Sequence, residues 1–190
     1  MGTHHRMYTG DAGRFQQEQH HFDLHGFTRN PFLVQWMVWS GCSLACPHCL
    51  LPRGSSESFA FDGARRGAFL DSLASRNIGE LLLTGGEPLE FPHFTRLLGE
   101  LAERNIPWSI NTAALPSPAV QSAIKAYPPR FAAISLDGPE HYHDHFRGKP
   151  GAYRDAMESI GFFACVTGHV AAGTTVTPMN LGHLDELFGV

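Results

Sequence analysis

The sequence predicts an α/β fold in which parallel strands alternate with helices, as a doubly wound sheet or as a full or partial barrel. Short apolar runs of the β type recur along the chain, and a helical pattern follows each of them. The segments between the runs are long enough for right-handed crossovers between parallel strands. In either architecture the functional groups collect at the carboxyl ends of the strands.

The composition indicates one globular domain of the cytoplasm. The 190 residues, 43% of them hydrophobic, suffice for one buried core but are short for two. A net charge of -4 without a run of basic residues gives no reason to expect nucleic acid as a partner. No segment approaches the ~20 apolar residues of a membrane span, and the N-terminus lacks the apolar run of a signal peptide. We therefore expect neither a nucleic-acid nor a membrane partner.

Five runs have the length and the residue types of strands. The predicted strands are 32–39, 80–84, 108–111, 131–136 and 169–176.

Helical periodicity lies between these runs. Apolar residues recur at helical spacing from Phe94 to Ala102, behind Pro92, which suits the first turn of a helix. The other helical segments are 62–76, the stretch that starts at Ser117 and Pro118, 153–160, and a helix-like segment at 181–188.

The first 30 residues show no clear period. They are rich in Gly, Gln and His, so we expect residues 1–30 to form a mobile lead-in, with a strand at 22–27 as an alternative. The core domain is then expected over residues 31–190.

The first predicted strand leads directly into a C-x3-C-x2-C loop formed by Cys42, Cys46 and Cys49. Cysteine thiolates are the usual ligands of iron–sulfur clusters, and a four-iron cubane held by three thiolates leaves one iron open to a substrate or cofactor. Structural zinc normally has four protein ligands. Zinc is therefore the less favoured alternative, because His48 lies too close to Cys49 in sequence to serve easily as the fourth ligand.

Two further groups of residues could form metal or thiol sites. Cys165 stands alone in an apolar stretch, which predicts a small buried side chain. His141, His143 and His145 alternate in a segment that we interpret as a polar loop. They are a conceivable second metal site, but alternate histidines in such a loop are more often solvated.

Polar and glycine-rich motifs follow the later strands. A Gly-Gly-Glu-Pro turn occupies 85–88, where the glycines can make a tight turn and the glutamate can cap a helix. Asn111 ends the third strand, where it can contact a ligand or satisfy a turn. The fourth strand is followed by Ser-Leu-Asp-Gly at 135–138 and His-Asp-His-Phe-Arg-Gly at 143–148.

Together the cysteine loop and these motifs resemble the radical S-adenosylmethionine (SAM) superfamily, in particular the subgroup that includes peptide-modifying maturases, sulfatase maturases and haem-pathway enzymes. The resemblance covers about residues 32 to 190. It implies a partial (β/α)6 barrel, a 4Fe-4S cluster on the three loop cysteines, and SAM as a cofactor. It further implies reductive cleavage of SAM to methionine and a 5′-deoxyadenosyl radical, which abstracts a hydrogen atom from the substrate.

The same resemblance assigns the SAM contacts. His48 would pack on the adenine and Arg147 would pair with the carboxylate, a group that a guanidinium binds with two hydrogen bonds. The Gly-Gly-Glu turn would approach the methionyl amino group. The full set of implied contacts is His48, Gly85, Gly86, Glu87, Asn111, Ser135, Asp137 and Arg147.

Substrate and partners follow only by analogy with the subgroup. A peptide is the first expectation and a haem-type tetrapyrrole the second, with an electron donor such as flavodoxin or ferredoxin. A catalytically silent metal-binding partner subunit is the rival interpretation. Because the superfamily barrel has six units and five strands are predicted here, we expect a chain truncated after the fifth strand, with an open and aggregation-prone edge. The alternative is a small enzyme that a dimer partner or another subunit completes.

Overall fold

The computed structural model describes residues 30–51 and 62–189, apart from the side chain of Phe188. The expected mobile lead-in, with its alternative strand at 22–27, falls almost wholly on residues 1–29 and so lies outside the described residues. Within the described part the sequence folds as one parallel sheet with helices between the strands, which confirms the predicted α/β class.

The five strands are arranged in the sheet in the order in which they occur along the chain. A doubly wound sheet would reverse that order at a switch point. The unreversed order is therefore that of a partial barrel. The strands are β1 (Leu33–Trp39), β2 (Glu80–Gly85), β3 (Trp108–Thr112), β4 (Ala132–Ser135) and β5 (Val170–Gly173).

Each predicted helix is present, with ends shifted by a few residues. The helices are α1 (Gly63–Ser75), α2 (Phe94–Glu103), α3 (Pro118–Ala126), α4 (Glu140–Arg147), α5 (Ala152–Thr167) and α6 (Leu184–Phe188), with short 3-10 helices at Pro88–Glu90 and Leu181–His183. Helix α4 corrects the interpretation of the alternating histidines as a polar loop. No described helix is both long and apolar enough to cross a bilayer.

The two faces of the sheet differ because successive strand residues point to opposite sides. On the face toward the helices, Leu81, Leu83 and Ile110 are completely buried and pack with the apolar side of α2. The opposite, inner face carries polar side chains such as Asn111 and Ser135. Polar groups therefore collect inside the partial barrel.

Strand β5 is shorter than predicted and ends at Gly173 rather than Val176. The hydroxyl of Thr174 donates to the carbonyl of Leu136 at 2.6 Å, and the amide of Thr175 donates to Oδ1 of Asp137 at 3.0 Å. These bonds pull the chain over the turn after β4. In the described residues β5 pairs with β4 alone, and the aggregation expected at its other edge stays a prediction.

Candidate functional site

A pocket of about 170 Å³ lies at the carboxyl ends of the strands. The three loop cysteines line it, as do all the predicted SAM contacts except Asp137. Residues from the ends of four different strands meet there because parallel strands present their carboxyl ends on one side.

The cysteine loop is fastened at two points away from its sulfur atoms. The amide of Ala45 donates to the carbonyl of Arg147 at 2.9 Å, which ties the loop to the end of α4. The amide of Ser43 donates to Oε2 of Glu90 at 3.0 Å, which ties it to the 3-10 helix after β2. Glu90 is a contributor that the sequence analysis missed, since nothing local distinguishes it from a solvated glutamate.

The thiols differ in their surroundings. Cys46 is buried, whereas Cys42 and Cys49 are exposed at the pocket. Desolvation within the pocket nevertheless raises the pKa of the Cys42 thiol to about 11. A guanidinium nitrogen of Arg147, Nη1, lies 3.5 Å from Sγ of Cys46 and donates to it.

The spacing of the three sulfur atoms bears on the choice of metal. At least one pair of these sulfur atoms lies more than 4.8 Å apart, because the three cysteines do not form a group of ligand atoms within that distance of one another. Thiolates on one tetrahedral zinc, with bonds of about 2.3 Å, would lie about 3.8 Å apart. A single tetrahedral zinc ion would therefore require the sulfur atoms to lie closer together than they do here, and the cluster on these cysteines stays a prediction.

The glycines of the Gly-Gly-Glu-Pro turn are needed for contact with the end of β1. A Cβ atom on Gly86 would lie 2.2 Å from the carbonyl oxygen of Gly41, and one on Gly85 would lie 2.3 Å from that of Trp39. Gly85 also has a φ of 132°, which side-chain-bearing residues rarely adopt. The turn is thus packed against the start of the cysteine loop.

Glu87 is 1% exposed, and its carboxylate is fully engaged within the protein. It accepts from the hydroxyl of Thr112, from the amide of Ala113 at 2.9 Å and from the amide of Leu89 at 3.1 Å. Burial raises the pKa of Glu87 in spite of these bonds. The side chain therefore caps the following 3-10 helix, as its local sequence predicts, and its contact with the methionyl amino group stays a prediction.

Arg147 and Asp137 form a buried ion pair behind the pocket. Asp137 is fully buried, and Nη2 of Arg147 contacts its Oδ2. The Nε atom of Arg147 is buried and has no hydrogen-bond partner among the described residues. Asp137 thus supports Arg147 from outside the pocket, and Nε of Arg147 remains an unpaired donor among the described residues.

His48 stacks on Phe146, with ring centroids 4.6 Å apart and planes within 7°. Burial, and next the nearby charge of Arg147, lowers the pKa of His48, which favours the neutral ring. Its Nδ1 atom is buried without a partner among the described residues. One face of the imidazole is therefore covered by α4, and packing of the ring on adenine stays a prediction.

The alternating histidines do not converge, which overturns the idea that they share one metal. On a helix, residues two apart point in different directions: His143 is fully buried, whereas His141 and His145 are exposed. The expectation that all three are solvated is wrong for His143. Its Nδ1 accepts from the amide of Asp137 at 3.1 Å, and burial lowers its pKa to about 4.

The surroundings of Cys165 and Asn180 were not predicted correctly from the sequence. Cys165 is exposed on α5, so its predicted burial is wrong, because it falls on the outer side of a helix whose inner side carries Phe163. Asn180, which the sequence analysis passed over, is completely buried. Its Nδ2 donates to the carbonyls of Asp137 and Thr175, both at 3.0 Å.

The sequence is similar to known proteins over most of its length. The family model described as the Radical SAM superfamily matches residues 36–187. An AdoMet-dependent heme synthase of Methanosarcina barkeri is 31% identical over 170 residues, which cover 85% of this chain and 47% of that protein. A mycofactocin maturase MftC of Mycobacterium ulcerans is 25% identical over 95% of this chain and 48% of its own length. The chain spans about half the length of the curated relatives it matches.

Solved structures share the fold. SuiB of Streptococcus suis bound to S-adenosylmethionine superposes with a TM-score of 0.70 at 18% identity, over 93% of this chain and 41% of SuiB. Native anSMEcpe with bound AdoMet gives a TM-score of 0.68 at 19% identity, over 83% of this chain and 47% of its own. The partial parallel barrel is the common element.

Proposed function

The chain belongs to the radical SAM superfamily, and from that premise we propose that its pocket binds a 4Fe-4S cluster together with SAM. When bound, the cluster would supply the electron that cleaves SAM to methionine and a 5′-deoxyadenosyl radical, which abstracts a hydrogen atom from the substrate. Cys42, Cys46 and Cys49 would hold the cluster. The single observation that carries the proposal is the convergence of these thiols and unpaired polar groups on one pocket.

The polar groups of the pocket support SAM as the second occupant. Buried polar atoms normally have partners, yet Nδ1 of His48 and Nε of Arg147 have none among the described residues. The adenine, amino and carboxylate groups of SAM could satisfy such atoms. Asn111 and Ser135 would add hydrogen bonds from the ends of β3 and β4.

The cluster is tested by anaerobic reconstitution. About four irons and four sulfides per chain are expected, with the brown absorption of a cubane. Cys46→Ala should not retain this content, whereas Cys165→Ala should load normally, because Cys165 is an exposed cysteine on α5 away from the loop. A colourless protein that carries one zinc ion would overturn the proposal.

The SAM site is best tested at Asn111 and Ser135. Arg147→Ala is a poor probe, since it would leave Asp137 buried without its counter-charge. Asn111→Ala and Ser135→Ala should each weaken SAM binding by about 0.5–1.5 kcal/mol, the scale of one hydrogen bond, without loss of iron. Unchanged SAM affinity in both cluster-loaded variants would remove these residues from the site.

For the substrate we propose a haem-type tetrapyrrole or a peptide. The tetrapyrrole is supported by the higher identity to AdoMet-dependent heme synthases, 31% against 25% for the maturase MftC. The peptide is supported by that maturase and by the shared fold with SuiB, which was solved bound to its precursor peptide. Titration of the chain with an iron porphyrin, followed by absorbance, is compared with titration with labelled peptides. The comparison distinguishes the two proposed substrates.

An electron donor of the flavodoxin or ferredoxin class would reduce the cluster. Cluster-loaded chain, SAM and dithionite should release 5′-deoxyadenosine, and reduced flavodoxin should replace dithionite. A chain that keeps its iron and binds SAM yet releases no 5′-deoxyadenosine would support the rival proposal of a silent metal-binding subunit.

A further inference from the structure

We propose that His141, His183 and Glu186 form a second metal site, for a divalent transition-metal ion such as zinc, on the outer side of α4. Each residue offers one ligand atom, and these atoms all lie within 4.8 Å of one another. The site takes no residue from the cysteine loop. It is therefore independent of the proposed SAM chemistry.

Two separate segments supply the ligands. His141 lies in the first turn of α4, while His183 ends the 3-10 helix before α6 and Glu186 lies in the first turn of α6. His183 and Glu186 are three residues apart, a spacing that puts both side chains on one face of a helical turn. The segment after β5 thus brings two ligands to a third on α4.

The imidazoles are oriented by packing. The rings of His141 and His183 lie edge to face, with centroids 5.7 Å apart and planes at 79°. The ring of Tyr142 lies 4.5 Å from that of His183 and covers one side of it. His183 is therefore restricted to a small set of orientations, which lowers the entropy lost when it binds an ion.

Asn180 holds the second segment in place without any metal. This buried residue donates to the carbonyls of Asp137 and Thr175 and accepts from the amide of Thr177 at 2.7 Å. The backbone that carries His183 is thus anchored close to the ligands. An ion would find a site that is largely preformed.

The donor set suits zinc better than calcium or magnesium. Two imidazoles and one carboxylate are typical ligands of zinc and its neighbours, whereas calcium and magnesium prefer oxygen alone. Bonds of about 2.0–2.1 Å in a tetrahedron place ligand atoms about 3.4 Å apart. Small rotations of exposed side chains would close the present spacing, and water would fill the fourth position.

We assign the ion a clamping role. It would fasten the segment after β5 to α4 and so close a long loop that contains α5 and β5, which stabilises the folded state by mass action. The bound ion would also restrain the turn that carries Asp137, because Asn180 joins the same segment to that turn. It would not contact the pocket, which none of its three ligands lines.

The experiment must exclude zinc bound by the loop thiols. Zinc titration by calorimetry is therefore done on two full-length forms: the cluster-loaded chain, and Cys42→Ser/Cys46→Ser/Cys49→Ser after circular dichroism has shown it to be folded. Each form should bind one zinc ion per chain, in addition to the cluster where a cluster is present. Cobalt(II) should give d–d absorption without a thiolate charge-transfer band.

Variants then locate the site. His141→Ala and Glu186→Gln should each weaken zinc binding by about tenfold or more, and the thermal stabilisation that zinc gives to the parent should vanish. His145→Ala is the matched control, an exposed histidine of the same helix outside the cluster, and should bind zinc like the parent. No saturable binding in either form, or equal affinity in all three variants, would overturn the proposal, while reconstitution of the cluster would be unaffected.

Discussion

The two sides of the sheet are stabilised in different ways. The side formed by β1, β2 and β3 buries mainly aliphatic residues, of which Leu81 and Leu83 are completely inaccessible, and its buried Glu87 is held by hydrogen bonds rather than by a counter-charge. The side formed by β4 and β5 ends in a strand on which Gly173 is exposed, and it buries His143 and the ion pair between Asp137 and Arg147. A substitution at the surface over an apolar core changes the stability of the fold little. Loss of the partner of a buried polar group destabilises the fold strongly.

This difference separates the two halves of the candidate site as well. The cysteine loop leaves the apolar side and is fastened at its tip to the polar side, through the carbonyl of Arg147. A substitution that destabilises the polar side should therefore also loosen the loop, because α4 connects the two. Changes at exposed charged residues of the apolar side that do not contact the loop, such as Asp71, should not.

Asp137→Asn should have the largest effect, because it leaves the guanidinium of Arg147 buried without a counter-charge. The free energy of unfolding in urea should fall by about 3–5 kcal/mol. Asp71→Asn is the control on the apolar side, since the Asp71 side chain is 68% exposed in its pair with Arg104, and it should cost less than about 1 kcal/mol. Similar losses in the two variants would contradict the contrast between the sides.

Acid should weaken the polar side through His143. Burial, and next the nearby charge of Arg147, lowers its pKa to about 4, so the folded state holds a neutral ring that the unfolded chain protonates near its ordinary pKa of 6.5. The unfolded state therefore binds more protons between these values, and stability falls as pH falls from 6.5 toward 4. The total contribution is at most about 3 kcal/mol.

His143→Asn checks this assignment by urea unfolding at several pH values. The amide oxygen can replace Nδ1 as the acceptor for the amide of Asp137 but does not titrate. The variant should lose part of the slope of stability between pH 6.5 and 4. An unchanged slope would assign the acid sensitivity to other groups.

Gly148→Ala should have a smaller effect on stability, together with a specific effect on the loop. Gly148 and Gly168 both end helices with positive φ, 65° and 70°, so alanine at either should cost about 1–2 kcal/mol. Only at Gly148 would the new methyl group meet the loop, 2.9 Å from Cβ of Ala45. Reconstituted Gly148→Ala should therefore carry less iron than Gly168→Ala, and equal iron contents would argue against this contact as a support of the loop.

Glu90→Ala should have the smallest effect on global stability, below about 1 kcal/mol, because its hydrogen bond to the amide of Ser43 is exposed. It should instead accelerate the loss of a bound cluster in chelator, since the start of the loop would be less constrained at Ser43. Glu103→Ala, a largely exposed glutamate of α2, is the matched control. Equal rates of cluster loss would show that Glu90 does not support the loop.

The elements that the sequence predicted best are those with strong local patterns. Helix α2 carries an apolar stripe from Phe94 to Leu101, and all of its large members are buried. Helix α4 was missed because its sequence is mostly polar and histidine-rich. It is a helix whose buried side makes polar contacts, which periodicity of apolar residues cannot reveal.

The candidate site was predictable as a set of residues but not as a set of contacts. The loop cysteines and Asn111 were placed at strand ends, and the ends of parallel strands meet. The partners of Glu87 and Arg147 were not foreseen, because hydrogen bonds between distant segments depend on side-chain geometry. Asn180 shows this most clearly, since its partner Asp137 is 43 residues away.

The bond between Ala45 and Arg147 also bears on the order in which the protein is made. The cysteine loop emerges from the ribosome early, but the residue that fastens it follows about a hundred residues later, as the separation of 101 between Cys46 and Arg147 indicates. At about 5–20 residues per second, the nascent loop waits about 5–20 seconds for α4. During that time its thiols are unsupported, so we expect delivery of iron to the proposed cluster site to follow the synthesis of β4 and α4.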